Sequence, residues 1–245
     1  MISRIHHSRV KNTVNIFSVD ELSKGRRRLI VHPQSFNECF PVEILPKELA
    51  LHGIGEIIES TTANGVAMLS DFTAWFDHFL LPHGSSEFFC FQFGEQWFQW
   101  KTLPTGANVC PALGQLVSWA IVRSALKLSA LKPTAVHVFI DNVRAIFTTN
   151  SEAHNFSQNF KHVCQEVNAK VNEGEMVVGA IYTFLGVVFQ HSSSNLTVQL
   201  SEKFVDKLKS QSDNQRVDNQ RMTIRELLRF AGKLLHASRV CGTQI

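Results

Sequence analysis

The chain has 245 residues, enough for one large or two small domains that bury a core without disulfide or metal staples. Hydrophobic residues make up 44% of it and charged residues 18%, a globular composition that excludes long disorder and a coiled coil. With 24 basic and 21 acidic residues the formal charge is only +3, too mild by itself to announce a nucleic-acid partner. No run of about 18 apolar residues is present, so no membrane span is expected.

Charge is front-loaded. Residues 1–32 carry Arg4, Arg9, Lys11, Lys24, Arg26, Arg27 and Arg28 against Asp20 and Glu21. The first 19 residues hold no acid and read as an irregular lead-in, with an organellar transit peptide as the alternative. Lys24–Arg28 runs through Gly25 into Leu29–Val31, which places basic side chains at the start of a strand. Residues 47–66 show Leu49, Ile54, Ile57 and Ile58 at near-helical spacing, with a stop at Asn64–Gly65, and a strand follows at Val66–Leu69. Glu87–Phe93 and Gln96–Lys101 read as an aromatic hairpin turned at Gly94–Glu95. From Pro111 to about Leu131, the residues Leu113, Leu116, Val117, Ala120, Ile121, Ala125 and Leu128 repeat at helical spacing behind a first-turn proline.

Val136–Ile140 and Val143–Phe147 flank Asp141–Asn142, which predicts a hairpin with those two residues as its turn. Residues 152–170 are expected to be helical, and Tyr182–Gln190 with Leu196–Leu200 to form a strand pair. Two amphipathic helices are expected at 201–210 and 223–240, the second opened by a Thr223/Glu226 capping box, with the polar stretch Ser210–Arg221 as a loop between them. Strands arriving as hairpins with helices between them predict an α+β fold, an antiparallel sheet with helices on one face.

Cys39, Cys90, Cys110, Cys164 and Cys241 are scattered without a C-x-x-C pair, and read as free thiols of a reducing, intracellular compartment, nuclear or cytoplasmic. The eleven histidines show no H-x-x-x-H or H-E-x-x-H spacing, so no zinc site is expected. The candidate chemistry lies in carboxylates. Asp71 ends a short apolar strand and Asp141 sits at a hairpin tip. Alone, the first reads as a helix cap and the second as an ordinary turn residue. On neighbouring strands of one sheet they would stand at one edge and could hold hard divalent cations such as Mg²⁺ through oxygen.

Taken in order, the segments resemble the right-handed palm, fingers and thumb of reverse transcriptases along nearly the whole chain. Arg26–Asn37 looks like the fingers segment, Ser70–Pro82 resembles the first catalytic motif D-x-x-x-x-[FY], and Leu103–Gln115 matches L-P-x-G-x-x-x-x-P-A-x-x-Q. Phe139–Asn142 resembles the [YF]-x-D-D box and Phe184–Gly186 the primer grip, while Thr223–Leu235 is similar to the thumb helix of DIRS-like retroelements and their VIPER-type relatives. The resemblance implies fingers over 1–66 with a hairpin at 83–104, a palm over 67–82 and 105–200, and a thumb or connection over 201–245. It implies that Asp71, Asp141 and the Phe72 carbonyl bind Mg²⁺ or Mn²⁺, with Asn142 in the catalytic set. Arg26 and Arg28 would grip the incoming triphosphate, Phe76 would act as the steric gate against a ribose 2′-OH, and Thr105 and Gly106 would approach the nucleotide. Phe184, Leu185 and Gly186 would hold the primer.

Asn142 departs from the family pattern, standing where a second aspartate is usual, as does Glu175, where a lysine is frequent. The expected activity is an RNA- and DNA-templated DNA polymerase using dNTPs and a primed template, from a retroelement polyprotein or a gene derived from one. The alternative is a catalytically impaired relative that binds RNA or RNA–DNA hybrid. No second acidic cluster follows Leu235, so ribonuclease H activity is expected on a C-terminal partner domain rather than in this stretch.

Overall fold

In the computed structural model of the chain, residues 2–21, 25–39, 51–218 and 223–242 are described, with Glu21, Arg26, Arg28, Glu175 and 211–218 described by their backbone alone. Strand β1 (Ile2–Arg4) is followed by β2 (Asn15–Glu21), β3 (Arg26–His32), α1 (Gln34–Cys39), α2 (Ile54–Glu59) and β4 (Val66–Asp71). A hairpin of β5 (Cys90–Phe93) and β6 (Gln96–Trp100) leads to the long helix α3 (Cys110–Ser129), then to the hairpin of β7 (Ala135–Phe139) and β8 (Asn142–Phe147) and to α4 (Asn150–Glu166). The chain continues through β9 (Val177–Gly179), β10 (Ile181–Phe184), β11 (Val187–His191), β12 (Leu196–Leu200), α5 (Glu202–Asp218) and α6 (Ile224–Cys241).

Alternation along β4 and β8 divides the architecture into layers, because successive side chains of a strand point to opposite faces. Met68, Val143, Ala145 and Phe147 face one way, onto Ile121, Val122 and Ala125 of α3 and Ala153, Phe156, Phe160 and Val163 of α4. Ala67, Leu69 and Ile146 face the other way, onto Tyr182, Phe184, Val187 and Phe189. Phe147, Phe156 and Phe160 are completely buried, each contributing about 1.5–3 kcal/mol by leaving water. The central sheet therefore runs β7-β8-β4-β9, with two helices on one face and the antiparallel sheet β10-β11-β12 on the other. This is the expected α+β class, with a second sheet where the sequence pattern left the far face open.

Capping and turn chemistry fix the ends. Thr149 and Thr223 each close a capping box, with Glu152 and Glu226, and Pro111 sits in the first turn of α3, where its missing N–H is no loss. Leu185 (φ 51°) and Gly186 (φ 80°) make the tight turn between β10 and β11, so Tyr182–Gln190 is two strands rather than the single strand expected.

Other expectations are corrected by packing. The opening residues are not an irregular lead-in: Ile2–Arg4 pairs with Phe98–Trp100, and Arg9 and Lys11 hold Glu87 at 2.7 and 2.9 Å. These two cations pull the Glu87 carboxyl below its usual range. Within the described part of 47–66 the helix spans Ile54–Glu59 and stops at Ser60, short of Asn64–Gly65, and 47–50 lie outside the described residues. Ser210–Asp218, expected as loop, continues α5, since the stretch contains neither Gly nor Pro to break it; 219–222 lie outside the described residues. Leu113, Leu116 and Leu128 of α3 are exposed, while Ile121 and Ala125 are core. All five cysteines are free thiols, and burial pushes Cys110 and Cys164 up to about 12.

Candidate functional site

Asp71 and Asp141 meet at one end of the central sheet. Asp71, the last residue of β4, is register-paired with Asn142, the first residue of β8. The Phe72 N–H donates to the Asp141 carbonyl at 3.0 Å, stitching the hairpin tip to the end of β4. On the other side the Asn172 N–H donates to the Asp71 carbonyl and the Thr73 N–H to the Lys170 carbonyl, both at 2.9 Å. Adjacent strands lie about 4.8 Å apart, so backbone alone sets Asp71 beside Asn142 and next to the turn that carries Asp141. Strand alternation puts Asp71 and Asn142 on the face of Leu69 and Arg144, away from α3 and α4.

The turn is shifted by one residue from the expected one. Phe139 pairs with Asn142, which leaves Ile140 and Asp141 as the turn, with Ile140 left-handed at φ 58°. A β-branched residue rarely adopts that region, and its backbone is held from below by α3. The Ile140 N–H donates to Gln115 Oε1 at 2.7 Å, Gln115 Nε2 donates to the Val138 carbonyl at 2.8 Å, and the Ser118 hydroxyl donates to the Ile140 carbonyl. Helix and turn approach closely at Gly114, where a Cβ would lie 3.1 Å from the Ile140 side chain and 3.2 Å from Phe76 and Trp75.

Donor chemistry tests the implied metal. Asp71 and Asp141 are half-buried carboxylates with hard oxygen donors, which fit Mg²⁺ or Mn²⁺. Asn142 contributes an amide instead of a third carboxylate, and its Nδ2 donates to Asp141 Oδ1 at 2.9 Å. Among the described residues no group of three or more His, Cys, Asp or Glu is placed to hold an ion. The donor set thus fits a divalent cation, with one anionic ligand fewer than the family pattern supplies.

The remaining expected residues are distributed around this end. Thr105 and Gly106 are exposed on the loop before α3, and that loop is pressed against β3: a Cβ on Gly106 would lie 2.1 Å from the Val31 carbonyl, so only glycine fits. Asn37 clasps the same loop, donating to the Gly106 carbonyl at 2.9 Å and accepting from the Asn108 N–H at 2.8 Å. Phe76 follows left-handed Ala74 (φ 49°) in a short 3-10 helix, Trp75–His78, and is half-buried between the α3 packing and the loop. Arg26 and Arg28 lie in β3, and their side chains are outside the described residues, as is that of Glu175. Phe184 is buried between the two sheets, while Leu185 and Gly186 form the half-buried turn beside it.

Solved structures with the same architecture carry the comparison. A foamy viral protease-reverse transcriptase (dRH) in complex with double-stranded DNA superposes with a TM-score of 0.72 at 19% identity, over 96% of this chain and 37% of that one. The foamy viral protease-reverse transcriptase in complex with RNA/DNA hybrid gives 0.66 at 19% identity, over 90% and 27%. This chain has a reverse-transcriptase fold. Native prototype foamy virus protease-reverse transcriptase gives 0.58 at 15% identity over 97% of this chain and 31% of that one, so the chain spans about a third of the solved proteins. No family model and no curated protein matches the sequence.

Ser118 and Arg144 were not singled out by sequence reasoning, and Gln115 and Asn37 entered only as the last residues of two matched segments, with no role assigned. Arg144 is completely buried on β8, with its guanidinium 4.5 Å from the Phe189 ring centroid, 5.4 Å from Phe184 and 5.7 Å from Tyr182. It donates to Thr61 Oγ1, makes no ion pair among the described residues, and has no hydrogen-bond partner for Nε and Nη1. Burial lowers it to about 10, so it remains charged at neutral pH. The readable signal was a lone arginine inside Val143–Phe147, a strand otherwise apolar on both faces.

Proposed function

We propose that this chain is an RNA- and DNA-templated DNA polymerase domain that adds dNTPs to a primer. The reading rests on one observation: Asp71 and Asp141 are placed together at the end of the central sheet of a reverse-transcriptase fold. In this reading Asp71, Asp141 and the Phe72 carbonyl hold Mg²⁺ or Mn²⁺. Bound there, a divalent cation would supply the positive charge that stabilises the developing negative charge of a phosphoryl transfer. Arg26 and Arg28 bind the triphosphate, for which a guanidinium fork suits phosphate oxygens. Thr105 and Gly106 border the nucleotide from a loop that Asn37 holds against β3, and Phe76 crowds the 2′ position of its sugar. Leu185 and Gly186 present the primer strand from a turn anchored in the core by Phe184.

The neighbours bind double-stranded DNA and RNA/DNA hybrid, which supports a primed template as the partner here. The segment arrangement supports fingers over 1–66 and 83–104, a palm over 67–82 and 105–200, and a thumb from 201. Thr223–Leu235 supports an origin in a DIRS-like retroelement or a gene derived from one.

A second reading is favoured by the Asn142 side chain. Its amide occupies a lone pair of Asp141 Oδ1 that a cation would use, as expected of a catalytically impaired domain that still binds RNA or RNA–DNA hybrid. Primer extension on poly(rA)·oligo(dT) in Mg²⁺ and separately in Mn²⁺ separates the two. Extension supports the polymerase; hybrid binding without product in either metal overturns it in favour of the binder.

A further inference from the structure

Ile140 lies directly before Asp141 in the turn, and none of its backbone polar groups is left to solvent. In a two-residue hairpin turn the central amide and carbonyl ordinarily face water. Here the Ile140 N–H is taken by Gln115 and its carbonyl by Ser118, side chains that are 1% and 0% exposed. Gln115 also holds the Val138 carbonyl at 2.8 Å, so one amide group grips both the last part of β7 and the turn it leads into. Gln115 and Ser118 are three residues apart on a 20-residue helix, which puts them on one face of a rigid support. The absence of a side chain at Gly114 lets that face come within contact of the turn. The conformation secured this way, φ 58° at a β-branched residue, is one the chain would leave if the two hydrogen bonds were removed. Leaving it would swing the next residue, Asp141, away from the end of β4.

We infer that Gln115 and Ser118 are positioning residues for the metal centre, holding Ile140 left-handed so that the Asp141 carboxylate stands beside Asp71. The inference rests on the metal-dependent reading of the site and assigns these two side chains no contact with nucleotide or metal. A purely structural role would make them affect stability alone. A positioning role makes them affect cation affinity and turnover, with the requirement for them relieved when residue 140 can be left-handed without cost.

The experiment measures Mn²⁺ binding to the chain alone by electron paramagnetic resonance of the free ion, without nucleotide or nucleic acid. It compares wild type, Gln115→Met, Ser118→Ala, Ser118→Thr and the double variant Ser118→Ala/Ile140→Gly. Loss of a residue that orients a metal ligand weakens cation binding by about 10–100-fold, and that is expected for Gln115→Met and Ser118→Ala. Ser118→Thr keeps the hydroxyl and should bind as wild type. Glycine occupies positive φ freely, so the double variant should regain most of the affinity lost by Ser118→Ala. In primer extension the same single variants should lower kcat while leaving the KM for dNTP unchanged.

Folded single variants with wild-type Mn²⁺ affinity and kcat would overturn the inference, as would a double variant no better than Ser118→Ala, or a wild-type chain that binds no Mn²⁺. Should Gln115→Met fail to fold, Ser118→Ala, which deletes a single oxygen, carries the comparison. A wild-type chain that binds Mn²⁺ but extends no primer overturns the polymerase reading alone, and the Mn²⁺ affinities of the variants still decide the inference.

Discussion

Replacing Asn142 by aspartate adds a third carboxylate to the sheet end and removes the amide that donates to Asp141 Oδ1 at 2.9 Å. An oxygen anion at that separation would repel the first by about 1.4 kcal/mol at the dielectric of water and about 6 kcal/mol at an effective dielectric near 20. Both side chains are half-buried and the new carboxylate can rotate away to about 4–5 Å, which brings the expected repulsion to about 1–4 kcal/mol. The lost hydrogen bond adds about 1 kcal/mol. The metal-free Asn142→Asp chain should therefore be less stable by about 2–5 kcal/mol, seen as a fall in Tm of about 4–20 °C for a chain of this size. Asn142→Ala, which loses the donor without adding charge, should lose only about 1 kcal/mol. Cation binding reverses the effect: Mg²⁺ at about a hundred times its Kd returns about 2.7 kcal/mol. The assay is thermal unfolding of the three proteins in EDTA and across a Mg²⁺ titration, with extension measured in Mg²⁺ and Mn²⁺; the metal optimum of Asn142→Asp should move toward Mg²⁺. If Asn142→Asp is as stable as Asn142→Ala in EDTA, or gains no more from Mg²⁺ than wild type does, the three side chains do not share a cation site.

Phe76→Ala should raise the ratio of ribonucleotide to deoxyribonucleotide incorporation, because the ring volume next to Gly114 and the loop is vacated; an unchanged ratio in a variant that still extends with dNTPs returns Phe76 to a packing role. Thr61→Val should destabilise the fold by about 1.5–3 kcal/mol by stripping a hydrogen bond from a buried charge, whereas Arg144→Met, which removes the unpaired charge itself, should stay within about 1 kcal/mol of wild type. Urea unfolding measures both, and the opposite ranking contradicts a desolvated, incompletely paired Arg144. Burial, and then the neighbouring Arg144 and His52 charges, lower His137 from 6.5 to about 3, and it stays neutral in the fold. The unfolded chain takes up that proton first, so the stabilisation is complete above pH 6.5 and is lost as pH falls toward 3, by about 1.4 kcal/mol per pH unit. His137→Gln should flatten the acid limb of a stability–pH curve, and an unchanged limb would place the sensitivity elsewhere.

What could be read ahead of the structure was whatever depends on near neighbours in the chain. The Thr149 box was missed but the Thr223 box was read, and Val66–Leu69, the aromatic hairpin and the Pro111 helix were visible from alternation, turn residues and helical spacing. Asp71 was legible as a candidate because it ends an apolar strand, and Asp141 because it sits at a hairpin tip. Their register was not, because Asn142 is a favoured turn residue by local preference, whereas the turn falls at Ile140–Asp141, where Ile140 donates to Gln115 and accepts from Ser118. Ile2–Arg4 was unreadable for a related reason: three residues carry no periodicity, and their partner strand lies more than ninety positions away, at Phe98–Trp100. The front-loaded charge also misled in part. Arg9 and Lys11 bind Glu87 and Arg27 binds Asp20 at 2.9 Å, so three of the basic residues that make up the front-loaded charge already have anionic partners within the fold.

The most direct measurement compares primer extension and hybrid affinity in the same preparations of wild type, Asp71→Asn and Asp141→Asn. Cation ligation and phosphate-backbone affinity come from different residues, so both variants should bind primer–template within about twofold of wild type while extension falls by at least about a hundredfold. Extension that survives in Asp141→Asn, or affinity that collapses along with extension in both variants, would contradict a catalytic pair at the end of β4 and the tip of the β7–β8 hairpin.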